Sequence, residues 1–146
     1  MSHVADIGMV VKDLKSLEQA CKTLGLELVR NQTTYKWYGR SVGDTPLPEG
    51  FRESDLGKCE HAIRIPGNSQ AYEIGVVKRR DGKAGYQLLW DSWNNGYGIV
   101  PMVGKSAEKL KHSYSRQLAL AKYKAKGFRI TEKIKEDGTR ILTAIR

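Results

Sequence analysis

The chain has 146 residues, of which 40% are apolar and 28% are charged, as expected for a single globular domain. The sequence contains neither an apolar run of the roughly 18 residues needed to cross a bilayer nor the pattern of a secretory signal. These properties argue against an integral membrane protein or a secreted protein, and they predict a cytoplasmic, or stroma-like intracellular, location.

The positive charge is distributed unevenly along the chain. The formal net charge is +9. Residues 1–103 contain thirteen Lys/Arg against twelve Asp/Glu, a net of +1, whereas residues 104–146 contain twelve against four, a net of +8. An excess concentrated in the last third predicts a basic face that attracts phosphates, acidic proteins or anionic membrane surfaces.

The N-terminal segment predicts a strand followed by an amphipathic helix. The strand covers residues 7–11, Asp13 is placed to cap a helix that runs to about Leu24, and Gly25 is placed to end it. The apolar face of this helix has five residues at helical spacing, namely Leu14, Leu17, Ala20, Cys21 and Leu24. Because Cys21 takes the place of a small apolar residue, we expect no structural disulfide.

The middle of the chain predicts strands separated by loops. Residues 26–29 and 33–38 are rich in β-branched and aromatic residues, which favours two arms of a hairpin or one bent strand. Residues 39–58 lose this pattern and contain several Gly and Pro, so they predict a flexible loop. Three further antiparallel strands are predicted, with a turn at Asp81-Gly82 before the last; they cover residues 61–65, 71–78 and 85–93.

The C-terminal third predicts a long helix and a hairpin. The helix covers residues 106–126, ends at Gly127 and has an apolar stripe of Ala107, Leu110, Tyr114, Leu118, Ala121 and Ala125. Residues 128–135 and 139–145 predict a hairpin. The sequence therefore predicts a single α+β domain over residues 1–146, in which a mostly antiparallel sheet packs against two amphipathic helices in the order β-α-β-β-β-β-β-α-β-β.

One face of the predicted C-terminal helix is basic. Opposite the apolar stripe, a narrow arc carries the five residues that we call the basic ridge: Lys105, Lys109, His112, Arg116 and Tyr123. Cationic side chains contact phosphate oxygens and an aromatic ring stacks on a base, so the ridge predicts a site for a nucleotide or a nucleic acid. A solvated helix face is also charged and gives the same pattern.

Trp90, Asp91 and Trp93, at the end of the last central strand, form a second candidate site. On a strand, Asp91 and Trp93 share one face while Trp90 points to the other. A carboxylate beside an indole suits a cation or the hydroxyl groups of a ligand. The alternative, which is the commoner arrangement, is a strand-end aspartate in an Asx turn with the indoles in the core.

Histidines and thiols are too few to predict a metal site, and the only local cluster of donors is Cys59-Glu60-His61. Phosphate-binding loops, dinucleotide fingerprints, nucleophile elbows and kinase motifs are absent from the sequence. Acid–base chemistry that pairs His61 or His112 with Glu73 or Asp91 stays open. We therefore expect no cofactor and no metal, and we favour a protein that is not an enzyme.

Several short blocks occur in a defined order along the chain. The chain opens with Met-Ser-His before the first strand and helix, and residues 72–75 read Tyr-Glu-Ile-Gly. Residues 85–93 contain a Tyr-x-Leu-x-x-Asp-x-Trp pattern, and the segment from Leu110 to Tyr114, Gly127-Phe128 and Asp137-Gly138 follow. In this order the blocks resemble the uncharacterised family first described as chloroplast conserved reading frame thirty-five, also called domain of unknown function twelve-fifty-seven.

This resemblance implies an α+β fold and a divergent bacterial or phage member of the family. It implies neither a catalytic residue nor a cofactor. Members of the family occur in plastids, cyanobacteria, other bacteria and bacteriophages, and some are encoded near AAA-type ATPases. Glu73 stands where the family has Asp, so any role of that carboxylate does not carry over to this chain.

Three functions agree with these observations, in the following order. The first is non-catalytic binding of an anionic, phosphate-bearing ligand, either a nucleotide such as a signalling nucleotide or a nucleic acid, through the basic ridge with Trp90 or Trp93. The second is an adaptor that binds an acidic protein, such as an AAA-type ATPase, through the ridge or residues 39–58. The third is a nucleotide phosphodiesterase that uses a histidine with a carboxylate. We expect no membrane insertion.

Overall fold

An α+β fold with antiparallel sheets is present in the computed structural model, which describes residues 3–41, 43 and 46–145. Its elements in chain order are β1 (Val4–Val11), α1 (Leu14–Thr23), β2 (Glu27–Arg30), β3 (His61–Arg64), β4 (Ile74–Lys78), β5 (Tyr86–Asp91), α2 (Ile99–Val103), α3 (Glu108–Ala125), β6 (Arg129–Ile134) and β7 (Arg140–Ile145). The central sheet has the strand order β1-β5-β4-β3-β2, and β6 pairs only with β7. The predicted fold class is confirmed.

Helices cover one face of the central sheet. α1 begins where the sequence predicts, because the Asp13 carboxylate accepts a hydrogen bond of 3.1 Å from the backbone amide of Lys15. Tyr114 of α3 ties the two long helices together, since its hydroxyl accepts hydrogen bonds from the amides of Lys12 (3.0 Å) and Asp13 (3.2 Å). The core under the helices includes Leu17, Cys21, Ile63, Ile74, Val76, Leu88, Trp90, Ile99 and Leu110.

The long segment between β2 and β3 covers the other face of the sheet. Tyr35, Phe51 and Leu56 of this segment are buried there against Val77 and Leu89 of the sheet. The predicted loop at residues 39–58 contains one 3₁₀ turn, Glu53–Asp55. Residues 42, 44 and 45 lie outside the described residues, and the flexibility of the loop stays a prediction.

Residues 33–38 do not form the predicted strand. They make one isolated antiparallel bridge, Thr34 to Lys58, while β2 pairs with β3. The aromatic residues of this segment pack over the sheet instead: a Cβ atom on Gly75 of β4 would overlap the ring of Tyr35. The predicted element order is wrong at this point. It also lacks α2, which is too short to show a helical period.

α3 confirms the predicted long helix, but its apolar stripe is only partly buried. Ala107, Leu110 and Tyr114 are buried, whereas Leu118 is 37% exposed and the two alanines that follow are exposed. α3 packs against α1 and against β6 of the terminal hairpin, and none of its residues after Tyr114 is buried. Within residues 3–41, 43 and 46–145, no helix has the length and apolar character to cross a membrane.

His61 of β3 makes stability depend on pH. It is 8% exposed, and its Nδ1 accepts a hydrogen bond of 2.9 Å from the amide of Asn31, which requires a neutral ring. Burial, and then the charge of Arg30, lowers the pKa of His61 below its ordinary value of 6.5. When the pH lies between the pKa of His61 in the folded protein and its pKa in the unfolded chain, His61 is protonated in the unfolded chain and neutral in the folded protein. Stability is therefore fully present above the unfolded pKa and is lost as the pH falls toward the folded one.

Urea unfolding at neutral and at mildly acidic pH should accordingly show a lower midpoint in acid. His61→Gln, which cannot be protonated, should flatten this dependence. If the variant retains the full dependence on pH, other groups cause it.

Candidate functional site

A cleft of about 640 Å³ lies between the end of α1, the first half of α3 and the terminal hairpin. Three residues of the basic ridge, Lys109, His112 and Arg116, line it from α3. They are three and four residues apart, so they share one helix face. The other lining residues are Thr23 and Leu24 from α1, Ser113 and Ser115 from α3, and Asp137, Gly138, Thr139, Arg140 and Leu142 from the hairpin.

Glu132 of β6 joins the two arginines of the cleft. Its Oε1 accepts hydrogen bonds from Arg116 Nε (2.8 Å) and Arg140 Nη1 (2.9 Å), and its Oε2 accepts one from Arg116 Nη2 (2.5 Å). The two parallel bonds to Arg116 have the bidentate geometry of strong charge-assisted pairs. A guanidinium has five N–H donors, so both arginines keep donors for a further partner.

The cleft has a small excess of positive charge. Lys109, Arg116 and Arg140 are cationic, whereas Asp137 lines the cleft and Glu132 bonds both arginines. The Nζ of Lys109 is 3.4 Å from the carbonyl oxygen of Pro101, a long hydrogen bond that a charged ligand can displace. The arrangement of the donors, more than the net charge, therefore suits this cleft to an anion.

Glu132 should couple the hairpin to α3 in a manner that depends on pH. The hydrogen bonds from Arg116 and then from Arg140 lower the pKa of Glu132 from 4.5 to about 2. The stabilisation of the folded protein by ionised Glu132 is thus fully present above the pKa of Glu132 in the unfolded chain. It is lost as the pH falls through the pKa of Glu132 in the folded protein. We expect the NMR signal of the Arg116 Nε–H to keep its hydrogen-bonded shift down to mildly acidic pH and to lose it as the pH approaches 2.

Glu132→Gln provides the matched comparison, because it keeps the shape of the side chain and removes the charge. In this variant the signal should not change with pH, because the glutamine amide does not titrate in this range. A signal that moves with pH in the same way in both proteins would contradict the role of Glu132.

Two residues of the basic ridge lie outside the cleft lining. Lys105 precedes α3 and is exposed. Tyr123, near the end of α3, packs edge to face on Phe128 with the ring centroids 5.7 Å apart. The structure thus brings three of the five ridge residues together, and Tyr123 contacts the start of the hairpin.

Trp90, Asp91 and Trp93 are not part of the cleft lining. Trp90 is buried in the core under the helices. β5 ends at Asp91, so the shared strand face predicted for Asp91 and Trp93 is wrong; the Trp93 ring instead stacks on His3, with the centroids 5.4 Å apart. The Asp91 carboxylate is fully buried and accepts hydrogen bonds from the amides of His3 (2.9 Å), Tyr38 (3.0 Å) and Trp93 (3.0 Å). The Asx turn is confirmed, whereas of the two indoles only Trp90 lies in the core.

The turn that follows Asp91 is left-handed. Asn94, Asn95, Gly96 and Tyr97 have φ values of 49°, 56°, 58° and 52°. Asn and Gly tolerate this conformation better than other residues, which explains the Asn-Asn-Gly sequence. Gly96 is buried, and its carbonyl oxygen accepts a hydrogen bond of 2.8 Å from the amide of Tyr72. This bond ties the turn to the segment that precedes β4.

Asp91→Asn should destabilise the protein without changing the cleft. An asparagine presents an NH₂ group to one of the backbone N–H donors, so a buried donor loses its acceptor at a cost of about 1–3 kcal/mol. Urea unfolding measures this loss. Asp81→Asn, in an exposed turn, is the control and should change stability by less than about 0.5 kcal/mol. Equal effects of the two substitutions would mean that the three hydrogen bonds of Asp91 contribute little.

The donors in Cys59-Glu60-His61 have other partners in the structure. The Cys59 thiol donates to the carbonyl oxygen of Gln32 at 3.1 Å, and burial raises the pKa of Cys59 to about 12, which disfavours the thiolate. Glu73, a candidate catalytic carboxylate, accepts hydrogen bonds from Gln32 (2.9 Å) and from the amide of Lys36 (2.8 Å). In the part of the chain that the structure describes, no group of three or more His, Cys, Asp or Glu side chains is placed to hold a metal.

Sequence reasoning missed Glu132, Asp137 and Arg140 as residues of the site. For Glu132 and Arg140, the register of the terminal hairpin indicates that the two residues lie on the same face. Ile134 pairs with Arg140 and Glu132 with Leu142, so Glu132 and Arg140 project from the same face of β6 and β7. That this face turns toward α3 depends on tertiary packing and has no signal in the local sequence.

Comparisons of the chain with protein-family models, curated proteins and solved structures give no match.

Proposed function

We propose that this protein binds, without catalysis, a small anionic ligand that carries phosphate groups, such as a nucleotide, and that the cleft holds this ligand. The proposal is supported by one observation above all: Lys109 and Arg116 of α3 and Arg140 of β7 line a single cavity, together with His112. Two elements that are distant in sequence thus supply cations to one concave site. Guanidinium and ammonium groups are the usual protein partners of phosphate oxygens.

The size of the cleft favours a ligand of nucleotide size over a long polymer. Its volume of about 640 Å³ lies within the range of roughly 300–1,000 Å³ that is typical of small-molecule sites. A site for single-stranded nucleic acid combines a basic track with aromatic rings for stacking. The aromatic ring of the basic ridge, Tyr123, is outside the cleft lining.

The remaining lining residues suit the other parts of a nucleotide. Ser115 and Thr139 offer hydroxyl groups for a sugar or a phosphate, and Leu24 and Leu142 offer apolar contact. Such a protein would act by sequestering its ligand. The resemblance to the chloroplast conserved reading frame thirty-five family is part of this proposal at the level of the fold and names no ligand.

Replacing Lys109 should weaken nucleotide binding while an equal change of charge elsewhere on α3 should not. Lys109→Gln removes a charged donor of the cleft, and Lys124→Gln removes an exposed lysine outside it. A hydrogen bond to a charged group contributes about 1.5–3 kcal/mol, so Lys109→Gln should weaken the binding of ADP by about tenfold or more. Isothermal titration at low ionic strength measures both variants, and binding to the native protein should weaken as salt is added.

Three results would contradict the proposal. Equal weakening by Lys109→Gln and Lys124→Gln would indicate attraction by the general positive field and no specific site. Tight binding of single-stranded DNA with none of ADP would favour a nucleic-acid protein. Conversion of ADP to a product, lost in His112→Ala, would favour the phosphodiesterase. Mass spectrometry of whatever co-purifies with the native protein would identify the ligand itself.

A further inference from the structure

The C-terminal part of the fold, residues 115–145, lacks a core of its own. It comprises most of α3 and the β6-β7 hairpin, and none of its residues is buried. An isolated two-stranded hairpin is at best marginally stable in water. Five of the nine large apolar side chains that are exposed in the described residues belong to this segment: Leu118, Tyr123, Ile134, Ile141 and Ile145.

The hairpin has one face toward α3 and one face toward solvent. Glu132 marks the face toward α3 because it bonds Arg116. Side chains alternate along a strand, so Ile141, Thr143 and Ile145 of β7 project from the opposite face. Ile141 is 38% exposed and Ile145 is 42% exposed. The solvent face therefore carries a row of mostly apolar residues along β7.

The outer edge of β7 has free backbone groups, and the register shows which ones. The amide of Lys135 donates to the carbonyl oxygen of Thr139 at 2.8 Å, so this pair is hydrogen-bonded across the hairpin. Hydrogen-bonded and non-hydrogen-bonded pairs alternate in an antiparallel ladder. The backbone groups of Arg140, Leu142 and Ala144 consequently point away from β6, and in the described residues β7 has no second neighbouring strand.

Charge indicates what can pair with this edge. Residues 115–145 contain eight Lys/Arg against three Asp/Glu, a net of +5. Two copies of this segment would repel each other, which disfavours pairing of the edge with a second copy of the chain. A segment with carboxylates at some positions and apolar side chains at others complements both the charge and the row of Ile141 and Ile145.

We infer that the edge of β7 is a docking site for an extended acidic segment of a partner protein, which adds to the hairpin as a third strand. Main-chain hydrogen bonds to Arg140, Leu142 and Ala144 hold the added strand in register. Its apolar side chains pack beside Ile141 and Ile145. The nearby Lys and Arg residues attract its carboxylates. An added third strand also stabilises the hairpin, because a hairpin of two strands alone is only marginally stable.

The test uses the full chain and a short synthetic peptide in which glutamate and valine alternate. Hydrogen exchange measured by NMR should show slower exchange at the amides of Leu142 and Ala144 when the peptide is added. The amides of Ile141 and Thr143 already bond to β6, so their protection should change less. A peptide with the same number of glutamates and with glycine in place of valine is the control for charge alone and should protect neither set.

Ala144→Pro tests the edge directly. The Ala144 amide points outward, so a proline there leaves the ladder with β6 intact and removes one bond to the added strand. We expect at least about tenfold weaker peptide binding, from the loss of one main-chain hydrogen bond and a steric obstacle at the edge. Retained exchange protection at Thr143 would show that the hairpin still forms. Ile141→Ser, which keeps all amides, is a second variant and should also weaken binding.

Several outcomes would overturn this inference. Protection of Leu142 and Ala144 by the glycine peptide would reduce the effect to charge. Protection of these amides by anionic phosphatidylserine vesicles or by single-stranded DNA, with none from the valine peptide, would assign the surface to a membrane or a nucleic acid. Protection that grows with protein concentration alone would indicate a second copy of the chain.

The inference is independent of the phosphate ligand. Lys109→Gln alters the cleft and leaves β7 unchanged, whereas Ala144→Pro alters the edge and leaves every lining residue of the cleft in place. A protein that fails to bind ADP but binds the peptide would contradict the proposed function only. The opposite pattern would contradict the docking edge only.

Discussion

The fold depends on covering both faces of its central sheet, and the buried carboxylate of Asp91 is where the cover on one face is fixed. Asp91 accepts hydrogen bonds from the amides of His3, Tyr38 and Trp93, which belong to three separate parts of the chain. A carboxylate that is fully buried must recover in hydrogen bonds what it loses in hydration. These three bonds meet that need, and they hold the segment with Tyr35 against the sheet.

The other face is covered by helices, and the candidate site lies between the first half of α3 and the terminal hairpin. The first half of α3 is held against the core by Leu110 and by the hydroxyl of Tyr114. Beyond Tyr114 no residue of α3 is buried; Arg116 bonds Glu132 of the hairpin, and Tyr123 packs on Phe128 just before β6. The cleft is the space between this hairpin and the helical layer, and the bonds of Glu132 help to hold the hairpin to α3 there.

The sequence predicts the elements whose pattern is local and fails where tertiary packing decides. The Asp13 cap, the long helix and the Asp137-Gly138 hairpin follow from caps, periodicity and turn residues, and all three are present. Residues 33–38 have strand propensity, but the segment does not pair as a strand at the edge of the sheet. Its aromatic side chains are buried on the face of the sheet instead. For the site, periodicity placed Lys109, His112 and Arg116 on one face. It did not show that Arg140 and Glu132 approach from a hairpin.

The positive charge of the C-terminal third is divided between two surfaces, the cleft and the exposed hairpin. The whole segment is strongly basic, yet in the cleft Glu132 and Asp137 offset part of the charge of Lys109, Arg116 and Arg140. Much of the remaining excess lies on the exposed end of α3 and on the hairpin. Because both surfaces share one marginally stable ribbon, a contact that orders the ribbon on one side also stabilises it on the other. Binding at either proposed surface would therefore be thermodynamically linked to order in the hairpin, although the two surfaces use different residues.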